Sequence, residues 1–318
     1  MNIIGIDIGG TKCAVSRLID GNRVEETHRM PTTSRDATLA VLRDAVTSLQ
    51  LDGPRMFGIS CGGPLDAARG RILSPPNLPG WENTGITQFF TSHFGGTAAL
   101  MNDANACALA EWQFGAGRGT RHMVFLTAGT GLGGGLIIDG RLYEGATGDA
   151  GEAGHVRLNA EGPIGFGKAG SFEGFCSGGG IARLAEMRLR DNPTRPAWAL
   201  AEGVSARSVA VAAAAGEPLA LAVMDESGRR LGEGLAILVD ILNPERIVIG
   251  GIFPRCETLL RPAMETALAR EALEIPRQAC QIVPAALGES IGSHGAICVA
   301  LREFERHGKV EKHLSAPP

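Results

Sequence analysis

No C-x-x-C pair occurs among the seven cysteines, no uninterrupted apolar run is long enough to span a bilayer, and neither sign of charge dominates. Each absence removes a class of protein. An odd number of cysteines without paired spacing argues against a disulfide framework and a cysteine-based zinc site. It suits a reducing compartment, where each thiol is a small buried hydrophobe. The N-terminus enters a strand-like run at once, with no basic n-region or apolar h-region, so we expect a soluble, cytoplasmic chain with no membrane partner. A net charge of −4 and scattered basic residues offer no polyanion surface; no nucleic-acid partner is expected, and residues 309–312 read as a solvated tail. What remains is a chain of 318 residues, 44% hydrophobic, long enough for a large core and for two domains.

The chain is organised around residues 127–155. An apolar strand breaks there into Gly129-Thr130-Gly131-Leu132-Gly133-Gly134-Gly135, and the chain then reaches Gly151-Glu152-Ala153-Gly154-His155. Glycines after a strand let backbone N–H groups close on a phosphate, while a carboxylate and an imidazole among small residues suit a polyhydroxylated ligand. Upstream, residues 2–8 form an apolar strand ending in the turn Gly9-Gly10-Thr11-Lys12 before a second strand starts at Cys13. Asp7 in that strand needs a cation or hydrogen-bond donors. Residues 36–49 have a helical period with Asp36 as cap, and 55–60 and 97–101 read as strands. Three prolines make 74–81 irregular, with Asn77 and Trp81 either lining a cleft or covering the loop. Asp103 precedes a helix at 104–114 and fits its N-cap. The end of an α/β strand is also where a carboxylate can face a ligand as general base.

Three motif matches fail on their context. Residues 129–134 satisfy G-x-G-x-x-G, but 136–142 read as a strand and turn where a dinucleotide fold needs a helix, so a glycine-turned β-hairpin is the better reading. Gly58-Ile59-Ser60-Cys61-Gly62 is literally G-x-S-x-G, yet Gly63-Pro64 and a loop come next where a nucleophile elbow needs a helix. Residues 162–168 imitate a Walker A loop, with Ala169 where Ser or Thr is required and no strand before it. Downstream, 181–190, 219–242, 259–273 and 297–304 read as helices, Ser205 as the cap of another, 246–249 as a strand, and 196–202 as a loop holding Trp198.

Taken together, Asp7-Ile8-Gly9-Gly10-Thr11-Lys12, Gly63-Pro64, Asn77-Leu78-Pro79-Gly80-Trp81, Asn102-Asp103-Ala104-Asn105-Ala106, the 129–135 glycine run, Gly151-Glu152-Ala153-Gly154-His155, and Asn243-Pro244 with Gly250-Gly251 resemble the ROK family (repressor, open reading frame, kinase). The matches keep the family's order over nearly the whole chain. The resemblance implies the α/β, actin-like ATPase (ribonuclease H-like) fold of sugar kinases, with two α/β domains around a central cleft. Here these would be 1–117, with a C-terminal helix at 297–310 returning to it, and 118–296. It implies ATP and Mg²⁺ as cofactors, a small-molecule sugar as substrate, and a homodimer. Asp103 becomes the catalytic base. Gly63, Asn77, Asn102, Glu152, His155 and Glu173 match positions on the sugar. Asp7, Gly9, Gly10, Thr11 and Lys12 match the first phosphate loop, with Asp7 toward Mg²⁺ through water. Thr127, Gly129, Thr130 and Gly131 match the second loop, and Gly250 and Gly251 the adenosine side. A sugar-sensing repressor of the family would need an N-terminal helix-turn-helix domain, which we do not expect because a first strand starting at Met1 leaves no room for it; a non-catalytic sugar-binding protein would not need Asp103 and both loops. The sugar is not legible. Glucose is the default by family frequency, with N-acetylglucosamine, N-acetylmannosamine, fructose and allose as alternatives.

One departure stands out. Many members carry a zinc motif C-x-C-G-x-x-G-C-x-E, with the His of the GH pair as fourth ligand. The corresponding residues here are Ile164-Gly165-Phe166-Gly167-Lys168-Ala169-Gly170-Ser171-Phe172-Glu173. Ile, Phe and Ser cannot supply the thiolates that a structural zinc requires, and Cys176 alone cannot replace them. Metal analysis of the purified protein is therefore expected to find no stoichiometric zinc; zinc that resists dialysis would contradict this.

Overall fold

In the first strand, β1 (Asn2–Ile8), Ile3, Ile4, Ile6 and Ile8 are all buried, so the strand is covered on both faces. The computed structural model describes residues 1–190, 195–201 and 203–314. They fall into two compact units, one made of Met1–Gly115 with the chain from Glu289 onward, the other Ala116–Gly288.

In the first unit β2 (Lys12–Ile19) and β3 (Arg23–Pro31) pair antiparallel with the β1 side, while β4 (Arg55–Cys61) lies parallel on its other edge. After α1 (Arg35–Ser48), the small ribbon β5 (Leu65–Asp66), β6 (Arg71–Ile72) and β7 (Thr84–Gly85), and α2 (Ile86–Phe94), the strand β8 (Thr97–Asn102) completes a five-stranded sheet of order β3-β2-β1-β4-β8. It runs straight into α3 (Asp103–Phe114). Leu42 and Val46 of α1 and Phe90 of α2 cover one sheet face with Ile4, Ile6 and Ile8. The chain's last helix, Ile291–Leu314, covers the other, where Ile297 and Ala300 meet Ile3 and Met56. It lies close because both sides are small. A Cβ on Gly5 would come within 3.0 Å of Ala296 Cβ, and one on Gly58 would run into the Ala296 carbonyl and the Ala300 nitrogen.

The second unit repeats the pattern. β9 (Met123–Ala128) forms a hairpin with β10 (Leu132–Ile138), and β11 (Arg141–Tyr143) adds antiparallel. A 3₁₀ turn at Ala153–His155 and a hairpin of β12 (Ile164–Gly165) and β13 (Lys168–Ala169) follow. Next come α4 (Phe172–Cys176), α5 (Gly178–Arg190), α6 (Ala197–Ala201), α7 (Ala206–Ala214) and α8 (Pro218–Leu242). β14 (Arg246–Gly251), α9 (Phe253–Glu271), α10 (Glu274–Ala279) and β15 (Gln281–Pro284) close the unit, before the last helix, α11. The sheet order β11-β10-β9-β14-β15 has the antiparallel and parallel edges of the first sheet. Gly228 and Gly232 bring α8 onto α9, where a Cβ on Gly232 would come within 2.8 Å of Ala267. Among the described residues no single helix is long and apolar enough to cross a membrane, and all seven cysteines are free thiols.

Several local expectations shift. The residue preceding α1 is Ser34, so Asp36 lies inside its first turn instead of capping it. Residues 197–201 form the short α6, with Trp198 packed against the core of the second unit; Glu202 lies outside the described residues. α9 starts well before residue 259 because Pro254 suits a first turn, and it carries Pro262 within it, ending at Glu271. α11 starts at Ile291, ahead of residue 297, and its backbone continues through 309–312, whose side chains lie outside the described residues. The G-x-S-x-G match dissolves: Ser60 is inside β4, and a loop follows, leading into β5. Gly58 is there for packing. Gly58→Ala is expected to destabilise the fold by about 1–3 kcal/mol in urea unfolding, as overpacked cores do. An unchanged midpoint would show that α11 does not sit on β4 in this way.

Candidate active site

In the first unit the polar residues gather at the C-terminal ends of β1, β4 and β8, where ligands bind in α/β sheets. The turn after β1 is tight, with Gly9 N donating to Lys12 O at 3.0 Å and Thr32 Oγ1 to Gly9 O at 2.6 Å. Gly10 stands against the proline loop, since a Cβ there would lie 2.7 Å from Asn77 Cβ. Asn77 is exposed on that loop, whereas Trp81 is fully buried in the core; of the two, only Asn77 is available to a ligand. Beyond β4, Gly62 and Gly63 lie beside Asp103 and Asn102: a Cβ on Gly62 would sit 3.7 Å from Asp103 Oδ2, and one on Gly63 3.4 Å from Asn102 Nδ2.

The cap of α3 differs from expectation. Asn102 is the N-cap, its Oδ1 accepting from Ala104 N at 2.9 Å and Asn105 N at 3.4 Å. Asp103 is the first helical residue, and its Oδ1 also accepts from Ala104 N, at 2.9 Å. The strand runs into the helix without a linker, so the amide one position earlier takes the capping geometry. This leaves Asn102 Nδ2 to donate, and an exposed Asp103 carboxylate at the positive end of a helix dipole. The protein around Asp103 raises its pKa by desolvation, and backbone hydrogen bonds at Ala104 and Asp103 pull it back.

Asp7 is only partly exposed. Burial pushes its carboxyl from the ordinary 3.8 up to about 6, and the negative charges of Asp103 and Glu26 add to the rise. Ser60 and Lys12 act the other way. Ser60 is Asp7's register partner on β4, and its fully buried hydroxyl closes no well-formed hydrogen bond. Gly292 of α11 makes room for the carboxylate, since any Cβ would collide with it. Lys12 is engaged elsewhere, its Nζ 2.8 Å from Glu289 Oε2 in an exposed ion pair.

In the second unit three glycine segments meet. Gly250 and Gly251 pair with Thr127 and Ala128 in the β14–β9 register. Gly251, at φ +73°, would drive a Cβ into the Ala128 carbonyl. The start of α5 lies against the hairpin loop, with Gly178 N donating to Gly129 O at 2.8 Å, and a Cβ on Gly179 would come 2.9 Å from Thr130 O. Sequence reading misses this helix start, although the run Gly178-Gly179-Gly180 signals a place where backbones approach. A helix N-terminus beside such a loop suits a phosphate. Glu173 joins in, its Oε2 accepting from Leu132 N at 3.0 Å, so one of its oxygens is tied to the loop. Gly154 lets the 3₁₀ turn carrying Glu152 and His155 lie on β10, because a Cβ there would run into the Leu132 carbonyl. His155 Nε2 is 3.7 Å from Glu152 Oε2.

The expected site residues thus divide in two. Asp7, Gly9, Gly10, Thr11, Lys12, Gly63, Asn77, Asn102 and Asp103 gather in the first unit, and Thr127, Gly129, Thr130, Gly131, Glu152, His155, Glu173, Gly250 and Gly251 in the second.

The ROK family matches residues 3–303. The chain belongs to the ROK family. A glucokinase of Streptomyces coelicolor is 31% identical over 307 residues, covering 93% of this chain and 96% of its own. An N-acetylmannosamine kinase of Citrobacter koseri is 34% identical over 255 residues, covering 79% and 83%. Among solved structures, a ROK family glucokinase from Streptomyces griseus, in complex with glucose and AMPPNP, superposes with TM-score 0.76 at 30% identity, covering 95% of this chain and 100% of its own. This kinship places the chain among the family's sugar kinases, with the actin-like ATPase fold.

Because the folded Asp7 pKa lies above its ordinary value, the folded ROK chain holds more protons than the unfolded one between about pH 4 and 6, and loses stability as pH rises through that window. Asp7→Asn removes the ionisation. We expect it to stabilise the fold by about 1–2 kcal/mol at pH 8 in urea unfolding, the shift being discounted for the partly open carboxylate, and to lose that advantage below pH 4. A difference that does not vary with pH would refute the assignment.

Proposed function

We propose that this chain transfers the γ-phosphoryl group of ATP to a hydroxyl of a hexose, glucose first, with Asp103 as the base that accepts the hydroxyl proton. The observation that carries this reading is the Asp103 carboxylate itself, exposed at the end of β8, held by a backbone N–H, and close enough to Asp7 to raise its pKa. Desolvation raises its pKa and strengthens it as a base, while the helix dipole and the Ala104 N–H act the other way. Phosphoryl transfer needs little covalent chemistry from the protein, so positioning and charge neutralisation dominate. Asn102 Nδ2, Asn77, Glu152 and His155 supply the hydrogen-bond donors and acceptors that fix sugar hydroxyls, and Glu173 links the sugar side to the second phosphate loop through Leu132 N.

Mg²⁺ fits the first unit. Its donor set is hard carboxylate oxygen, the negative charge of Asp7, Asp103 and Glu26 is opposed locally by Lys12, and Mg²⁺ commonly takes one or two carboxylates, waters and substrate phosphates. Asp7 would hold it through water; when bound, the ion neutralises phosphate charge. The glycine segments at 129–131, 178–180 and 250–251 offer backbone donors without side-chain obstruction, which suits the phosphates and nucleoside of ATP. N-acetylmannosamine is the second candidate substrate, on the 34% identity to a kinase of that name.

Coupled assays with ATP over a panel of hexoses and N-acetylhexosamines are expected to show turnover best on glucose. Asp103→Asn should lower kcat by about 10²–10⁴-fold, with sugar KM changed far less. No turnover on any sugar, or an unaffected mutant, would overturn the mechanism.

A further inference from the structure

In the second unit, one residue serves neither the core nor the glycine loops. Phe166 is 74% exposed and has φ +42°, a left-handed backbone that is an outlier for a bulky side chain. It sits at the tip of the β12–β13 hairpin, where Gly165 pairs with Lys168 and Phe166 and Gly167 (φ +76°) form the two-residue turn. Such turns favour Asn, Asp or Gly at both positions. Neither burial nor turn chemistry explains a phenylalanine there.

Its aromatic neighbour among the described residues is His155. The two rings meet edge to face, with centroids 5.1 Å apart and planes at 89°, a favourable geometry for such a pair. The other arm of the same turn holds the backbone of that histidine, with Lys168 Nζ donating to His155 O at 2.7 Å. The hairpin is itself anchored, because Gly165 approaches the start of α4 so closely that a Cβ would lie 2.7 Å from Ser171 Oγ. That hydroxyl is committed to capping α4, accepting from Gly174 N at 3.0 Å. The His155 side chain is 39% exposed on a 3₁₀ turn.

We propose that Phe166 is a positioning residue that fixes the His155 imidazole for hydrogen bonding to the hydroxyls of a polyhydroxylated substrate. A left-handed phenylalanine is tolerated because the strain is exchanged for a fixed imidazole, a pattern seen where strain serves a site. The inference deepens the sugar-kinase reading and rests on it for the identity of the ligand.

Phe166→Gly removes the ring and also relieves the backbone, so folding is not at risk; Phe166→Tyr keeps the ring. With glucose and ATP, Phe166→Gly is expected to raise the sugar KM about 2- to 10-fold, the range for an aromatic pair, while the KM for ATP stays fixed and Phe166→Tyr behaves as wild type. In a His155→Ala background the same change should add nothing, since Phe166 acts through His155. NMR of the free protein, with the His155 ring signals assigned by their absence in His155→Ala, should show them displaced by ring current, with the displacement lost in Phe166→Gly and kept in Phe166→Tyr. Unmoved His155 signals in Phe166→Gly, or an equal KM penalty with and without His155, would overturn the proposal. The NMR comparison requires no turnover, so it decides the positioning role even if the kinase reading fails.

Discussion

A carboxylate held beside other carboxylates, away from bulk water, is the constraint from which the first unit is best understood. Asp7 lies in a strand of buried isoleucines, sensing the charges of Asp103 and Glu26, and is raised to about 6. The cation that offsets it in part, Lys12, pairs with Glu289. An arrangement of this kind lowers stability, and hydrophobic selection alone would replace it. Around it the backbone is shaped to leave space: Gly292 of α11 leaves out a side chain where Asp7 needs room, and small residues along α11 let that helix settle on β1 and β4. The proposed Mg²⁺ would offset this concentration of negative charge further than Lys12 does.

The second unit solves a different problem with the same sheet order. Where the first unit presents charge, the second presents bare backbone: the β9–β10 turn, the start of α5 and the end of β14 converge through glycines whose absent side chains let carbonyls and N–H groups approach closely. Backbone donors suit the phosphates of a nucleotide, and the 3₁₀ turn with Glu152 and His155 rides on β10 beside them through Gly154. Repetition of one topology thus carries two chemistries, because the residues at the strand ends differ.

Much of the fold and the site is legible in the sequence, and the exceptions have physical causes. Strands such as β1 and β9 announce themselves as short apolar runs, and the long helix α8 by its helical spacing, because both are local patterns. The hairpin after β9 is readable because a strand and a turn, rather than a helix, lie downstream of its glycines. Asp103 reads as the cap when the helix is taken to start one residue later; the direct passage from β8 into α3, which gives the cap to Asn102, is set by tertiary pairing of β8 with β4. The role of Gly178–Gly180 and Gly292 depends on partners distant in sequence, which no local window contains. Phe166 is the extreme case. Its contact with His155 requires a turn conformation that its own side chain disfavours, so propensity points away from the answer.

The proposal that Asp7 helps to hold the Mg²⁺ of a bound nucleotide is tested most directly by calorimetric titration of a non-hydrolysable ATP analogue with Mg²⁺ at pH 6, in buffers of differing ionisation enthalpy. A group with a pKa of about 6 is roughly half protonated there, so binding should release about half a proton per chain, less at pH 8, and none attributable to Asp7 in Asp7→Asn. Proton release identical in wild type and Asp7→Asn would contradict the account.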